Sequence, residues 1–443
     1  MLASEKRKKC SLQGAFQPAW VTARPVGTIR ANMVGQQLEI PATLCYHGQH
    51  LGAKGLEMNM GTVQETAEVA IVGGGIMGAS AAYYLARRGC SDVVILEKDL
   101  LAQASTGLSA GGIRQQFSHP ANIRLSQEAV RVFERFQEEF DTDVEFRQVG
   151  YLFLAQSEDV WLEFLENVET QRGYNVPVEV LSPEEIKYRW PYLNVDDLRG
   201  GTFCAEDGYA DPYMAAMGFA NAARRLGVRI EEQTKVTAVR MEDGRVKGVE
   251  TTRGAIAAPV VVDVAGPWGG EVAQLAGYQL PVKPYRRQVF MTQAFEAIRK
   301  PVPMILDIEP AFYFRGEGPG VLMGMSDPDE PSSFNLNIDY AFMERVIEAA
   351  IHRAPILEEA EIMRGWGGLY AITPDDNPII DRLPGAEGLY CAIGFSGHGF
   401  QQAPTVGRIL SELILDGQTE FDLSPFAHDR FDRVDRKAET RVV

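Results

Sequence analysis

Several features are scarce in this chain, and each scarcity excludes a class of protein. No apolar run reaches the roughly 20 residues that a membrane-spanning helix requires, so we expect no membrane span. Basic residues are outnumbered, with 43 Lys and Arg against 60 Asp and Glu and a formal net charge of −17, which repels a polyanion such as nucleic acid. The cysteines are few, odd in number and scattered, which excludes a disulfide framework or zinc knuckle and favours a reducing cytoplasm. They are Cys10, Cys45, Cys90, Cys204 and Cys391.

Residues 1–66 form an N-terminal extension to which we assign no fold. Its start, SEKRKKC, has no apolar stretch behind it and is therefore not a secretory signal. Its basic character is compatible with a transit peptide, but Met58 and Met60 stand just ahead of the first strand. We favour the interpretation that residues 1–57 precede the natural start. The stretch CYHGQH offers Cys45, His47 and His50 without a fourth ligand, so we predict no metal site.

What the chain has in plenty is apolar and small residues. Its 443 residues are 45% hydrophobic, enough for a large core and two domains. EVAIVGGG predicts a buried strand, IMGASAAYYLARRG a helix that Gly89 ends, and SDVVILEK a second buried strand. Gly73, Gly75 and Gly78 form GxGxxG at the strand-to-helix turn, and Glu97 follows where an acid would bind ribose hydroxyls. The unit predicts a dinucleotide site.

The stretch that follows Glu97, KDLLAQASTGLSAGGIRQQF, bears on the choice between NAD and FAD. It is rich in glycine and hydroxyl residues, which suit a ribityl chain and the edge of an isoalloxazine ring. An NAD enzyme would more simply continue by alternating strand and helix, and a flexible surface loop is the remaining alternative.

Stretches along most of the chain carry a family resemblance. Among them are STGLSAGGIRQQF, DGYADPYMAAMGFANAARRLGV, VVDVAGPW, GGLYAITPDDNPIID and GFSGHGFQQAPTVGRILSELI. Over residues 67–430 they resemble the D-amino-acid-oxidase-like flavoproteins, most of all the beta subunits of sarcosine oxidase and of dye-linked L-proline dehydrogenase. The resemblance implies FAD and an α/β fold with two domains. A Rossmann-like, glutathione-reductase-like FAD-binding domain would comprise 67–145, 203–277 and 362–443, and a mixed-sheet α+β substrate domain 146–202 and 278–361.

Local patterns support this architecture. Asp243-Gly244 predicts a turn between short strands, and Ser182 ahead of Pro-Glu-Glu predicts a capped helix start. TVGRILSELI predicts a helix with Pro404 in its first turn. Its buried face would consist of Val406, Ile409, Leu410, Leu413 and Ile414. We expect its N-terminus to point at the flavin, because the positive end of the helix dipole stabilises the reduced ring.

The motifs and the resemblance together nominate site residues. Arg114 is nominated as the cation that holds a substrate carboxylate, Tyr370 as a residue that shapes the pocket, and Arg286 as a second cation. His398 is assigned to binding rather than catalysis. The predicted cofactor-binding residues are Gly73, Gly75, Ile76, Met77, Gly78, Glu97, Lys98, Ser105, Thr106, Ser109, Ala110, Gly111, Gly112, Val236, Ala265, Gly266, Trp268, Gly394, Ser396, Gly397, His398, Gly399, Phe400 and Gln401.

Departures from the resembled enzymes refine the expected chemistry. Gly368 stands where monomeric sarcosine oxidases carry the cysteine that attaches FAD, so noncovalent FAD is expected. Leu322 stands where they carry an oxygen-activating lysine, and Gln401 where they carry a substrate-binding lysine. DGYADPYMAA also lacks the histidine to which multi-subunit sarcosine oxidases attach FMN.

Three functions remain open at this point. The first is an FAD-dependent dehydrogenase that oxidises the C–N bond of proline, sarcosine or another N-methyl or secondary amine, with a partner subunit that takes the electrons. The second is an oxidase for the same substrates, and the third is a noncatalytic FAD-binding assembly protein. The lost lysine favours the first.

Overall fold

The computed structural model of the protein describes residues 65–298, 301–433 and 438–440. The metal-ligand candidates Cys45, His47 and His50, like Met58 and Met60, lie outside these residues. The helices are α1 Ile76–Arg87, α2 Pro120–Glu134, α3 Phe136–Phe140, α4 Glu158–Gly173, α5 Pro183–Arg189, α6 Pro212–Arg225, α7 Gly269–Leu275, α8 Tyr340–Arg353 and α9 Gly399–Leu415. Short 3₁₀ turns cover Gly266–Trp268, Pro355–Glu359, Ser424–Phe426 and His428–Asp432.

The strands divide into two large sheets and two small ones. Their bounds are β1 Val69–Val72, β2 Val93–Leu96, β3 Gly112–Ile113, β4 Tyr151–Ala155, β5 Glu179–Leu181, β6 Gly200–Cys204, β7 Gly208–Tyr209, β8 Arg229–Glu231, β9 Val236–Glu242, β10 Arg245–Thr251, β11 Gly254–Ala257, β12 Val260–Asp263, β13 Lys283–Thr292, β14 Met304–Asp307, β15 Phe312–Glu317, β16 Gly320–Met325, β17 Ile362–Ile372, β18 Ile379–Arg382 and β19 Leu389–Ile393.

The first large sheet is the predicted Rossmann-like sheet, in the order β18-β19-β12-β1-β2-β8. β1 pairs in parallel with both β2 and β12, and only β18 runs antiparallel to its neighbour. β1 and β2 read VAIV and VVIL and are buried throughout, as expected of parallel strands with both faces covered. α1 packs against α6 and α9 on one side of this sheet. The predicted βαβ unit is confirmed.

A three-stranded sheet, β11-β10-β9, follows α6 and β8. Asp243 and Gly244 form the two-residue turn between β9 and β10, with φ values of 48° and 72°. Two consecutive positive φ values are those of a type I′ hairpin, for which Asp-Gly is a preferred pair. The predicted turn is therefore confirmed.

The second large sheet has eight strands in the order β17-β13-β16-β15-β14-β4-β6-β5. It is mixed, because β14 and β4 are parallel while the other neighbours are antiparallel. One face packs Leu152, Ile305 and Phe314 into a core that α8 covers. The residues of alternating position point to the opposite face, toward the site described below.

Two of the predicted domain boundaries lie within strands of the eight-stranded sheet. β17 pairs with β13 from Ile362 to Ile372, so this strand belongs to the eight-stranded sheet, although the predicted FAD-binding segment starts at residue 362. β6 likewise pairs with β4 as far as Cys204 and with β5 as far as Phe203, although the predicted FAD-binding segment starts at residue 203. The division into two domains stays a prediction, and this pairing would favour boundaries after Ile372 and after Cys204.

Two helix starts were predicted from capping residues. Ser182 caps α5 with a complete capping box, since its hydroxyl accepts from the Glu185 N–H and the Glu185 carboxylate accepts from the Ser182 N–H. The start predicted for α9 was wrong: the helix begins at Gly399, and Pro404 lies inside it. Pro404 removes one helical hydrogen bond, and burial of α9 against α1 and α2 outweighs that loss.

Candidate active site

A cavity of about 480 Å³ runs along the carboxyl ends of β1 and β2. Its walls come from seven segments of the chain. They are the β1–α1 turn, the end of β2, the loop of residues 104–110, the start of β9, the turn Gly266–Trp268, the second half of β17 and the start of α9. A crevice at this edge of a parallel sheet, where the N-terminus of α1 opens, is where α/β proteins bind dinucleotides.

The glycines of the β1–α1 turn form a cradle that side chains would fill. Gly73 has φ +123°, and a Cβ on it would lie 2.6 Å from the Val264 carbonyl oxygen. A Cβ on Gly78 would lie 2.0 Å from the Gly73 carbonyl oxygen, so this glycine allows α1 to pack on the turn. Gly75 is different, because its missing Cβ faces the cavity, with only the Thr106 hydroxyl at 3.0 Å. This is the space that a pyrophosphate needs.

Glu97 lies at the end of β2 and lines the cavity beside this turn. Its carboxylate accepts hydrogen bonds from the Gly74 N–H at 2.7 Å and the Asp99 N–H at 2.8 Å. Burial raises the pKa of Glu97, and these two hydrogen bonds oppose that rise. The adjacent Lys98 places its Nζ 3.4 Å from the ring centroid of Trp268, another cavity residue.

Most of the predicted cofactor residues meet in this cavity. Those that line it are Gly73, Gly75, Ile76, Met77, Glu97, Lys98, Ser105, Thr106, Ser109, Ala110, Val236, Ala265, Gly266, Trp268, Gly394, Ser396, Gly397, Gly399 and Phe400. Gly112, His398 and Gln401 instead line a smaller pocket. Gly78 and Gly111 line neither, and Gly111 packs against Ala210, whose carbonyl oxygen lies 2.1 Å from where a Cβ would be.

The smaller pocket, of about 60 Å³, adjoins the large cavity. Six residues border both spaces: Ser109, Ala110, Tyr313, Tyr370, Ser396 and Gly397. The eight-stranded sheet adds Tyr151, Met304 and Leu306 to its wall, and the loop after β3 adds Arg114. The pocket therefore has room for a small molecule held directly against one end of whatever fills the large cavity.

Arg114 is buried, lines the small pocket and is the first residue after β3. Its Cζ lies 3.9 Å from the ring centroid of Phe117, and its backbone N–H donates to Gln401 Oε1 at 2.5 Å. The guanidinium also donates to the Gln116 carbonyl oxygen. Burial lowers the pKa of Arg114, while Tyr151 and Glu439 oppose that change.

Two buried carboxyl groups hold the segment that carries Arg114. Asp207 accepts from the Gln115 N–H at 2.9 Å and from the Gln116 side chain at 3.1 Å, and burial raises its pKa to about 6. Glu439 accepts from the N–H and hydroxyl of Ser118, at 3.0 and 2.7 Å. Burial raises the pKa of Glu439, but the Ser118 hydrogen bonds and the charge of Arg114 outweigh it and hold this pKa below its usual range.

His398 borders the small pocket immediately before α9. Neither ring nitrogen has a hydrogen-bond partner among the described residues, although the side chain is buried. Burial and the charge of Arg114 lower the pKa of His398 to about 3, so the imidazole is neutral at ordinary pH. A buried ring with two unused nitrogens can donate one hydrogen bond and accept another.

The two consecutive arginines of β13 have different surroundings. Arg286, the one nominated from the sequence, lines neither space and pairs with Glu330 at 2.9 Å. Arg287 lines the large cavity, and its Cζ lies 5.1 Å from the ring centroid of Tyr370. The two arginines differ because neighbouring residues of a strand point to opposite faces of the sheet. Val289 lies two residues after Arg287, on the same face, and also lines the cavity. This apolar residue is the sequence signal that could have selected Arg287 over Arg286.

Other contributors have no motif of their own. Tyr151 and Tyr313 lie on strands of the second sheet, and Glu439 lies far along the chain from the residues it holds. Gly368 lines the large cavity, and a Cβ there would lie 3.3 Å from Leu108 Cβ. Leu322 lines neither space, but its register partner Arg315 lies two residues from Tyr313, so Leu322 is on the same face of the sheet as that tyrosine.

Comparison with known proteins identifies this arrangement. A family model described as FAD dependent oxidoreductase, DAO, matches residues 68–413. The chain belongs to this family. L-proline dehydrogenase from P. horikoshii has the same fold, with a TM-score of 0.79 and 33% identity over 84% of this chain and 99% of that one.

Two curated relatives are also similar to this chain. FAD-dependent oxidoreductase domain-containing protein 1 of Xenopus laevis is 34% identical over 415 residues, 83% of each protein. Mitochondrial dimethylglycine dehydrogenase of Rattus norvegicus is 31% identical, and the match covers 83% of this chain but 45% of that protein. The predicted family resemblance and α/β fold are confirmed, and the family implies an FAD-dependent oxidoreductase.

Among the described residues, no helix combines the length and apolarity that crossing a membrane would require.

Proposed function

We propose that the protein binds FAD without a covalent bond and oxidises the C–N bond of a small amino acid or secondary amine, such as proline or an N-methyl amino acid. The observation that carries this proposal is the junction of the two spaces. A dinucleotide cavity ends at a pocket of about 60 Å³, and six residues border both. Hydride transfer requires such direct contact between substrate and ring.

The cavity fits FAD on the observations above. The cradle at Gly75 leaves room for pyrophosphate, and Glu97 lies where it can meet ribose hydroxyls. Gly397, Gly399 and Phe400 bring the N-terminus of α9 to the end that adjoins the small pocket. When bound, FAD would accept a hydride equivalent from the substrate carbon next to nitrogen.

The residues of the small pocket would orient the substrate relative to the flavin ring. Arg114 is the proposed partner of the substrate carboxylate, since it is the arginine in the wall of this pocket. Tyr151, Tyr313 and Tyr370 limit the pocket and exclude water around the carbon that reacts. His398 is neutral and buried, so it can hold the substrate amine in its unprotonated form by accepting or donating a hydrogen bond.

The finer features of the proposal rest on two positions. Gly368 offers no nucleophile in the cavity wall, which supports noncovalent FAD. Leu322 leaves the position of the oxygen-activating lysine of the resembled oxidases without a charge, which supports a dehydrogenase that passes electrons to a partner subunit rather than to oxygen. We keep a reducing cytoplasm as the proposed location, supported by the free, buried thiols of Cys90, Cys204 and Cys391.

The test is the visible spectrum of the purified protein. We expect a flavin spectrum, with all FAD released when acid precipitates the protein. Anaerobic addition of proline, sarcosine or N,N-dimethylglycine should bleach the flavin, whereas pyrrolidine, which lacks the carboxylate, should act poorly. A flavin that dithionite bleaches but that no amino acid or amine in the panel bleaches would overturn the proposed reaction.

A further inference from the structure

The proposed function assigns no role to Arg287, a cation in the wall of the large cavity. Its Nε is buried and has no hydrogen-bond partner among the described residues, and its Nη1 donates to the Arg286 carbonyl oxygen at 3.0 Å. No carboxylate of the described residues lies within ion-pair distance of it, unlike Arg286, which pairs with Glu330 at 2.9 Å. An unpaired buried donor is costly, so the arrangement points to a ligand acceptor in the cavity.

The position of Arg287 indicates which part of a ligand it meets. Arg287 and Gly368 are register partners on β13 and β17, and their side-chain positions share the cavity face. The Arg287 guanidinium also contacts the ring of Tyr370, which borders both the cavity and the small pocket. Arg287 is therefore near the junction with the small pocket, whereas the phosphate cradle belongs to the β1–α1 turn. A bound FAD would place its ring, not its pyrophosphate, at this junction.

Charge changes at that end of the cavity during the reaction. The substrate carbon gives up a hydride, two electrons and one proton, and the nitrogen lone pair completes a C=N bond. A flavin bound here would accept this hydride, and its ring would then carry one additional negative charge. A cation close by stabilises that charge strongly in a water-excluded site.

We propose that Arg287 stabilises the negative charge of the reduced flavin ring, and so sets the reduction potential of the bound FAD. This assignment rests on the proposed function in one respect, that the ring lies at the junction. Arg114 remains the partner of the substrate carboxylate, because it borders the small pocket and Arg287 does not.

One carboxyl group moderates the charge of Arg287. Asp376 follows β17, and burial raises its pKa to about 6, while Arg287 opposes that rise. Asp376 does not come within ion-pair distance of Arg287 and lines neither space. The N-terminus of α9 is a second positive group at this end, so the loss of Arg287 should weaken the stabilisation without abolishing it.

The test compares Arg287→Gln and Arg287→Lys with the parent holoenzyme. The readouts are the affinity for sulfite, which adds to oxidised flavin and leaves it negatively charged, and the midpoint potential by dithionite titration with a reference dye. We expect Arg287→Gln to raise the sulfite Kd about tenfold and to lower the potential by about 30 mV, the same factor for a two-electron couple. Arg287→Lys keeps the charge, so its sulfite Kd and midpoint potential should be close to those of the parent. Arg345 is an exposed arginine on α8, and Arg345→Gln should change neither the sulfite Kd nor the potential.

Other outcomes separate this proposal from the proposed function. An Arg287→Gln protein with full FAD content, parental sulfite affinity and parental potential would overturn the role of Arg287. A selective loss of affinity for a carboxylate-bearing substrate analogue would overturn it too, in favour of a substrate anchor. Neither readout requires turnover, so both remain valid if no amino acid reduces the flavin. If Arg287→Gln loses its flavin, Arg287→His tests the same charge. Its imidazole is charged below about pH 6.5 and neutral above it, so the midpoint potential of this variant should fall, relative to that of the parent at the same pH, as pH rises through about 6.5.

Discussion

The hydroxyl of Thr106 accepts a hydrogen bond from the backbone N–H of Ile76, with 3.2 Å between oxygen and nitrogen. This contact joins the loop of residues 104–110 to the first turn of α1, which has no side-chain cap of its own. The helix start predicted to bind pyrophosphate and the loop predicted to wrap the ribityl chain thus form one wall. FAD binding should therefore depend on the space between them, beside Gly75.

Gly75→Val should abolish FAD binding while the fold persists. The φ of Gly75 is −78°, which any residue adopts, and its Cβ would meet only Thr106, so the loss comes from the side chain that blocks the pyrophosphate. FAD content per protein and the melting temperature of the apoprotein are the measurements. Gly173→Val, at the end of α4 with nothing within 4 Å of its Cβ position, is the control. Normal FAD occupancy in Gly75→Val would remove this cradle from the site.

Arg114→Ala should lower kcat/KM by about two to three orders of magnitude and leave FAD bound. The reason is that the loss of one member of a buried charge-assisted pair costs ~2–5 kcal/mol. Arg114→Lys should recover part of this, because it keeps the charge but not the two-pronged geometry. Steady-state kinetics with a substrate and with the matching amine that lacks a carboxylate measure the effect. Arg131→Ala, an exposed position on α2, is the control, and unchanged kinetics in Arg114→Ala would exclude the assignment.

Glu439→Gln should destabilise the protein at neutral pH and much less in acid. The carboxylate accepts four hydrogen bonds, from the Ser118 N–H and hydroxyl, the His119 N–H and the Asn122 side chain. Its pKa is held below the usual 4.5, so its stabilisation is present above about pH 4.5 and is lost as pH falls through the native pKa. Losing such charge-assisted bonds costs ~1.5–3 kcal/mol.

Thermal unfolding of Glu439→Gln and the parent between pH 7 and the acid limit of folding measures this difference. Glu420→Gln, an exposed carboxylate in the same C-terminal part of the chain, should match the parent at every pH. A gap between parent and Glu439→Gln that stays constant with pH would mean that packing, not charge, anchors this segment.

The sequence predicted best those features that are encoded within a few neighbouring residues. The βαβ unit, the Asp243-Gly244 turn and the capping box at Ser182 each depend on local spacing, and all three are present. The GxGxxG spacing of the β1–α1 turn is also local, although the reasons for its glycines differ: Gly73 and Gly78 avoid backbone oxygens, whereas Gly75 keeps the space beside Thr106 open.

What the sequence did not reveal depends on contacts across the chain. The choice between Arg286 and Arg287 is set by which face of β13 meets Glu330, 44 residues away. Glu439 reaches Ser118 from 321 residues along the chain, with no motif to mark either partner. The start of α9 was misplaced because proline is usually an N-terminal signal, and the tertiary burial that tolerates Pro404 is not a local property.

Leu322→Lys should speed reoxidation by oxygen and leave the rate with an artificial dye nearly unchanged. Oxygen takes up negative charge beside the flavin, and a nearby cation can lower that barrier by ~3–4 kcal/mol. Leu322 is buried on the same face of β16 as the cavity wall, with Arg315 and Met291 as register partners. The parent, which lacks this cation, should therefore react slowly with air.

The measurement reduces the enzyme anaerobically with substrate, then mixes it in a stopped-flow instrument with air-saturated buffer or with a phenazine dye. Leu322→Met changes the shape of the side chain without adding charge and is the control. Its reoxidation rates with oxygen and with the dye should match those of the parent. The buried Arg315 opposite Leu322 already donates to the Ala110 carbonyl oxygen at 2.7 Å and to Glu317, so its charge is engaged away from the new lysine. If the parent is reoxidised by air as fast as by dye, the dehydrogenase proposal fails and the oxidase alternative takes its place, because oxygen would then need no lysine at this position.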